Sequence, residues 1–171
     1  MWLVQWSKSR STDNEFGVPV RNFGKVTDGV YRGALPGADG DRAMIERLAC
    51  ARVCSLIEHG VEQDRRLARA SGVEEWLHIP FSDRDKPRPA RVRQWLNFMR
   101  TGDRGAPIFT HCRGGRHRTG TLVAVLRVTD QGWNREQALK EMMRYGWYDA
   151  MGHRPLRDWF LNDFDPADYR A

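Results

Sequence analysis

A chain of 171 residues suffices for one ordinary domain and its core, and no stretch of about 18 apolar residues is present to cross a membrane. Its three cysteines, Cys50, Cys54 and Cys112, make neither a disulfide framework nor a zinc-ligand pattern, and the short apolar N-terminus carries its positive charge on the wrong side for a signal peptide, so a cytoplasmic protein is expected. The formal charge of +6 is largely arginine, with only Lys8, Lys25, Lys86 and Lys140 as lysines among 28 basic residues; it favours anionic partners, but no basic block or stripe marks a nucleic-acid surface.

Residues 1–20 carry Ser9, Ser11, Thr12, Asp13, Asn14, Gly17 and Pro19 without a sustained period. They read as an extended or loosely packed arm ahead of a domain over 21–171. The segment 22–36 predicts two short strands turning at Asp28-Gly29, with Arg32 bracing the core edge. A helix follows over 41–50, with Met44, Ile45 and Leu48 inward, then a buried strand over 52–57. The turn Glu58-His59-Gly60 closes that strand. Strand C-termini line the ligand crevice of open α/β sheets, so His59 is a candidate pocket residue, with a solvent-facing loop histidine as the alternative.

A charged helix over 62–70 and a strand over 75–79 come next. The following stretch, Phe81-Ser82-Asp83-Arg84-Asp85-Lys86-Pro87-Arg88-Pro89, is a loop by its prolines and charges. Loops after strands are natural carriers of mobile functional groups. Residues 90–100 place Val92, Trp95, Leu96 and Met99 on one helical face, a core stripe. After the chemistry-bearing stretch described below, 121–128 is a mostly buried helix. Asn134 and Gln137 form a capping box that opens another, with Leu139, Met142 and Met143 inward. An aromatic loop over 145–153 and a final helix over 155–164 complete a strand–helix alternation that argues for one α/β sheet domain.

The stretch that carries chemistry is His111-Cys112-Arg113-Gly114-Gly115-Arg116-His117-Arg118-Thr119-Gly120, between a predicted strand over 106–110 and the helix at 121. Strand, Gly-containing loop and helix start make a phosphate cradle, because successive N–H groups converge there and the helix end adds positive potential. Cys112 sits at that focus, so its thiolate is stabilised. Arg118 offers a planar fork for two phosphate oxygens, and Thr119 lies where its hydroxyl would donate to the thiolate. His111 is expected to orient the loop rather than touch phosphate.

The spelling His-Cys-x5-Arg-Thr resembles the signature of cysteine-dependent phosphatases, the tyrosine and dual-specificity superfamily. The run over 115–120 is similar to the Gly-Lys-His-Arg-Thr-Gly of the plant and fungal atypical dual-specificity phosphatases, members of which cleave inositol pyrophosphates. Segment 22–36 resembles their opening, with Gly33 where they usually have Ser. The resemblance implies a single central, mostly parallel sheet flanked by helices, of the dual-specificity (phosphotyrosine phosphatase II) type. It implies a cysteinyl-phosphate intermediate, with Cys112 as nucleophile, the amides of 113–118 and Arg118 on the phosphate, and no cofactor or metal. Asp83, after Pro-Phe, takes the place of the general acid in several dual-specificity phosphatases, and Asp85 is the alternative.

Arg113, Arg116 and His117 surround the cysteine with more positive charge than one monoester needs. That leans the substrate toward inositol phosphates or other polyanions. A phosphoprotein substrate is the alternative, and an RNA triphosphatase or a non-catalytic phosphate-binding module are lesser ones. Nothing in the chain specifies an oligomeric state. Cys54 reads as a small core residue. Its strand also resembles the Val-Arg-Val-Cys strand of the regenerating-liver phosphatases, which implies a possible redox partner for Cys112 if the Cα atoms approach within about 7 Å.

Overall fold

One mixed sheet with strand order β1-β2-β5-β3-β4 organises the chain, in a computed structural model that describes residues 11–102 and 105–171. β1 (Gly24–Thr27) and β2 (Val30–Gly33) pair antiparallel across Asp28-Gly29, where Gly29 takes φ 72 as a tight turn requires. β2, β5 (Ile108–His111), β3 (Arg52–Ser55) and β4 (Glu75–His78) run parallel, so their C-terminal ends share one edge. This is the mostly parallel sheet expected.

Alternation along the strands divides the core in two. Ile108 and Cys54 face one layer with Trp95, Leu96, Leu122 and Phe160, while Phe109 and Val53 face the other with Val20, Phe23 and Met44. β5 is buried on both faces, which is why Ile-Phe-Thr-His carries no polar-out pattern. Its one hydroxyl is satisfied: Trp95 Nε1 donates to Thr110 Oγ1 at 2.9 Å.

The helices are α1 (Gly37–Leu48), α2 (Val61–Ala70), α3 (Pro89–Met99), α4 (Arg118–Asp130), α5 (Arg135–Arg144) and α6 (Arg154–Asp158). α1 starts four residues before the expected 41, and of its three expected inward residues only Met44 is fully buried. The Asn134 capping box forms as expected, with Gln137 N–H on Asn134 Oδ1 and Asn134 N–H on Gln137 Oε1, both at 2.9 Å. Arg127 of α4 meets Glu141 of α5 through two hydrogen bonds at 3.0 and 2.7 Å, a buried pair that locks those helices together.

The helix expected over 155–164 spans residues 154–163, α6 passing directly at Asp158 into a π turn over Trp159–Asp163. The extra residue in that turn lets the consecutive rings of Trp159 and Phe160 both face the core, where Phe164 and Tyr169 join them. The loosely packed arm is packed where it is described, since Val18 and Val20 are buried against Phe109 and Met44, while residues 1–10 lie outside the described residues.

Asp41 is buried with neither carboxylate oxygen hydrogen-bonded, and burial, then the nearby Asp64, push its pKa up to about 7. A carboxyl raised in the folded state binds its proton more tightly there, so stability falls as pH rises from the unfolded value of about 4 toward 7. Asp41→Asn is therefore expected to raise the urea midpoint at pH 8 and to change it little at pH 4.5. An equal shift at both pH values would contradict the assignment.

Candidate active site

The phosphate loop spans the gap between β5 and α4, and its shape is set from behind. Leu35 N–H donates to Arg113 O at 3.1 Å, Asn22 Nδ2 to Gly114 O at 2.7 Å, and Arg32 Nη2 to Gly115 O at 2.9 Å. Three successive carbonyls are thus turned outward to the segment before α1, which leaves the loop amides turned toward Cys112. Asn22 takes φ 54 to reach its carbonyl, a conformation that asparagine tolerates. Arg32 is fully buried, and its guanidinium carbon lies 3.7 Å from the centre of the Tyr145 ring.

Gly115 takes φ 66, and a Cβ there would meet the backbone carbon of Gly33 at 2.5 Å. The loop and β2 therefore touch backbone to backbone. Gly33 has its own reason to be glycine, because a Cβ on it would lie 2.9 Å from Val20 Cγ1 and 3.0 Å from Phe109 Cε2. α4 begins at Arg118, three residues earlier than expected, so Arg118, Thr119 and Gly120 form its first turn.

Cys112 is only 3% exposed. Burial alone pushes its thiol up, but the Arg118 charge, the Thr119 hydroxyl and amide, and the Gly115 amide together bring it below the ordinary thiol value. The Thr119 hydroxyl is buried beside the sulfur, where it helps to lower the thiol pKa. Arg118 is held in place by Nη1 donating to Leu56 O at 3.2 Å and Phe81 O at 3.4 Å, with Glu58 Oε2 3.8 Å away. His111 is buried behind the loop, its Nδ1 3.3 Å from Cys112 O and its Nε2 3.5 Å from Asp64 Oδ2. Burial pushes its pKa below the usual imidazole range despite Asp64, so the ring is neutral at pH 7.

The cysteine opens at the floor of a cleft of about 560 Å³. Of the candidates named from sequence, Asp83, Arg113, Gly114, Arg116, His117 and Arg118 line it with Cys112, and so does His59. Asp85 does not. His117 departs from expectation in its charge: burial, then His153, lower its pKa to about 4, so it adds no positive charge at neutral pH. Its ring is enclosed by Trp147, Tyr148 and His153.

Cys54 pairs across the ladder with Thr110, two residues short of Cys112. All three cysteines are free thiols, and Cys54 packs as a core residue whose thiol burial pushes up.

The lining residues not singled out from sequence include Arg21, Arg84 and His153. Arg84 sits beside Asp83 in the charged loop, and that adjacency was its only signal. Arg21 and His153 carried none, because the first opens the domain just after the N-terminal arm and the second lies in an aromatic loop distant in sequence.

A family model described as the tyrosine phosphatase family matches residues 17–168. The dual specificity protein phosphatase TpbA of Pseudomonas aeruginosa is 32% identical over 131 residues, covering 77% of this chain and 57% of that protein. The inositol diphosphatase DSP5 of Arabidopsis thaliana is 29% identical over 156 residues, covering 90% of this chain and 74% of that protein. Among solved structures, P. aeruginosa TpbA in complex with pTyr superposes with a TM-score of 0.74 at 28% identity, covering 92% of this chain and 91% of that one. The core catalytic domain of the Saccharomyces cerevisiae PP-IP phosphatase SIW14 shares the fold, with a TM-score of 0.68 at 21% identity over 84% of this chain and 88% of that one. The chain spans little more than half the length of the TpbA sequences it matches.

Proposed function

This chain belongs to the tyrosine phosphatase family, and on that premise we propose that it hydrolyses phosphate monoesters or phosphoanhydrides of polyanionic small molecules through a cysteinyl-phosphate intermediate. The observation that carries the reading is a buried thiol held below its ordinary pKa at the floor of a basic cleft. The Cys112 thiolate attacks phosphorus, the S–P bond forms and the bond to the leaving oxygen breaks. Loop amides and Arg118 hold the equatorial oxygens as charge builds on them. Asp83 gives its proton to the leaving oxygen; it then takes one from the water that attacks phosphorus as the S–P bond breaks.

Five arginines line the cleft, Arg21, Arg84, Arg113, Arg116 and Arg118, against the carboxylates of Glu58 and Asp83. That excess of fixed positive charge suits a substrate with several phosphates. The inositol diphosphatases among its relatives support the same class. A phosphoprotein substrate is the second reading, favoured by Tyr148 at the cleft edge, whose exposed ring offers a wall for an aryl phosphate, and by the pTyr complex of TpbA.

The double variant Arg21→Ala, Arg113→Ala separates the two. Each lost charge-assisted contact is worth about 1.5–3 kcal/mol, so with two removed KM for an inositol polyphosphate is expected to rise roughly a hundredfold or more. Nitrophenyl phosphate, with one phosphate to bind, is expected to change little. Equal losses on both substrates would overturn the polyanion reading in favour of the phosphoprotein one.

A further inference from the structure

Two imidazoles stack face to face beside the cleft. His117 of the phosphate loop and His153 of the segment before α6 lie 3.6 Å apart at their ring centroids, 15° from parallel. Tyr148 packs edge-on against both, and Trp147 edge-on against His117. His117 Nε2–H donates to Tyr148 O at 3.0 Å, which fixes the first ring. Both histidines are buried.

The outer ring reaches the segment that bears Asp83. His153 Nδ1 is 3.1 Å from the Asp83 main-chain oxygen and 3.7 Å from its carboxylate Oδ2. A carbonyl only accepts, so Nδ1 carries a proton and donates. Gly152, at φ 87, lies against the aliphatic stem of Arg84, where a Cβ would be 3.4 Å from Cγ and Cδ. At the other end of the segment Phe81 O is held by Arg118. The segment itself has no helix or strand, and its own local bond is Arg84 N–H to Ser82 Oγ at 3.1 Å. What keeps the Asp83 carboxyl over the cleft is therefore supplied from outside the segment.

We propose that His153 is a positioning residue for Asp83, docking the acid-bearing segment onto the phosphate loop through its stack on His117. This rests on the reading of Asp83 as the general acid. A carboxyl on an irregular segment samples many positions, and proton transfer needs it within hydrogen-bond reach of one oxygen. The stack ties the height of that segment to the loop that fixes the phosphorus, so acid and electrophile are placed by one rigid contact. Proton donation matters most when the leaving oxygen is a poor leaving group, and there the loss of His153 is felt.

The test compares kcat across aryl and alkyl phosphates of graded leaving-group acidity for wild type, Asp83→Asn, His153→Ala, His153→Asn and the Asp83→Asn, His153→Ala double variant. Asp83→Asn is expected to lose about 10²-fold or more on the poorest leaving groups and less on nitrophenyl phosphate, where only its base role in the second step is lost. His153→Ala is expected to show the same tilt, roughly tenfold at the poor end. His153→Asn, whose amide can donate to the Asp83 carbonyl, recovers most of it, and the double variant is no worse than Asp83→Asn alone. Thermal unfolding reports that each variant is folded. A uniform loss across the series, no loss at all, or additivity in the double variant would overturn the role of His153. If Asp83→Asn itself shows no tilt, the acid assignment fails first and this inference with it.

Discussion

Cys112→Ser is expected to abolish turnover, by roughly 10⁴-fold or more in kcat, while leaving affinity for tungstate or inorganic phosphate within a few-fold of wild type. The reason lies in the division of labour at the loop. The serine hydroxyl, with an intrinsic pKa far above that of a thiol, does not ionise as readily as the sulfur, so the nucleophile is lost. The anion site survives, because the carbonyls of Arg113, Gly114 and Gly115 remain held by Leu35, Asn22 and Arg32 whatever atom stands at position 112. Arg118 remains anchored on Leu56 and Phe81. Phosphate release from nitrophenyl phosphate and calorimetric titration with tungstate measure the two halves separately. Wild-type turnover in the serine variant would end the cysteinyl-phosphate mechanism.

The same argument makes Cys112 the reactive thiol of the described three. Burial pushes Cys50 up to about 12 and Cys54 up as well, whereas Cys112 is brought below its ordinary value by Arg118, Thr119 and Gly115 against the cost of its own burial. Iodoacetate at neutral pH is expected to modify Cys112 first and to inactivate in step. Inactivation slows as pH falls through the lowered pKa, because the thiolate fraction falls with it.

Gly115→Ala is expected to cost roughly 2–5 kcal/mol of stability, the sum of a left-handed non-glycine residue and an overpacked contact. The methyl group would lie 2.5 Å from Gly33 C and 2.7 Å from Ala34 N, and both are backbone atoms of the β2 end that cannot swing aside. A protein of this size holds about 5–15 kcal/mol in total, so the urea midpoint should fall visibly. Turnover should fall further than stability predicts, because any shift of β2 also moves Arg32 and its bond to the Gly115 carbonyl. Gly114→Ala is the control: a Cβ there meets only the Arg116 side chain, at 3.9 Å, so its midpoint should stay near wild type. Equal midpoints for the two variants would mean that the backbone contact with β2 is not what shapes the loop.

Local chemistry was legible in the amino-acid sequence alone. The spacing from Cys112 to Thr119, the turn at Asp28-Gly29, the Asn134–Gln137 capping box and the stripe of Val92, Trp95, Leu96 and Met99 are short-range patterns whose geometry follows from helix and strand periods. The tertiary structure alone decided what those groups face. Asn22 and Arg32 reach the loop across 92 and 83 residues of chain, and His153 meets Asp83 across 70. No periodicity spans such distances. The choice of Asp83 over Asp85 as cleft residue and the neutral state of His117 depend on burial and on enclosing neighbours. A residue's spelling states which charge or bond it can offer, but desolvation and the partner brought by the fold decide which of these it keeps.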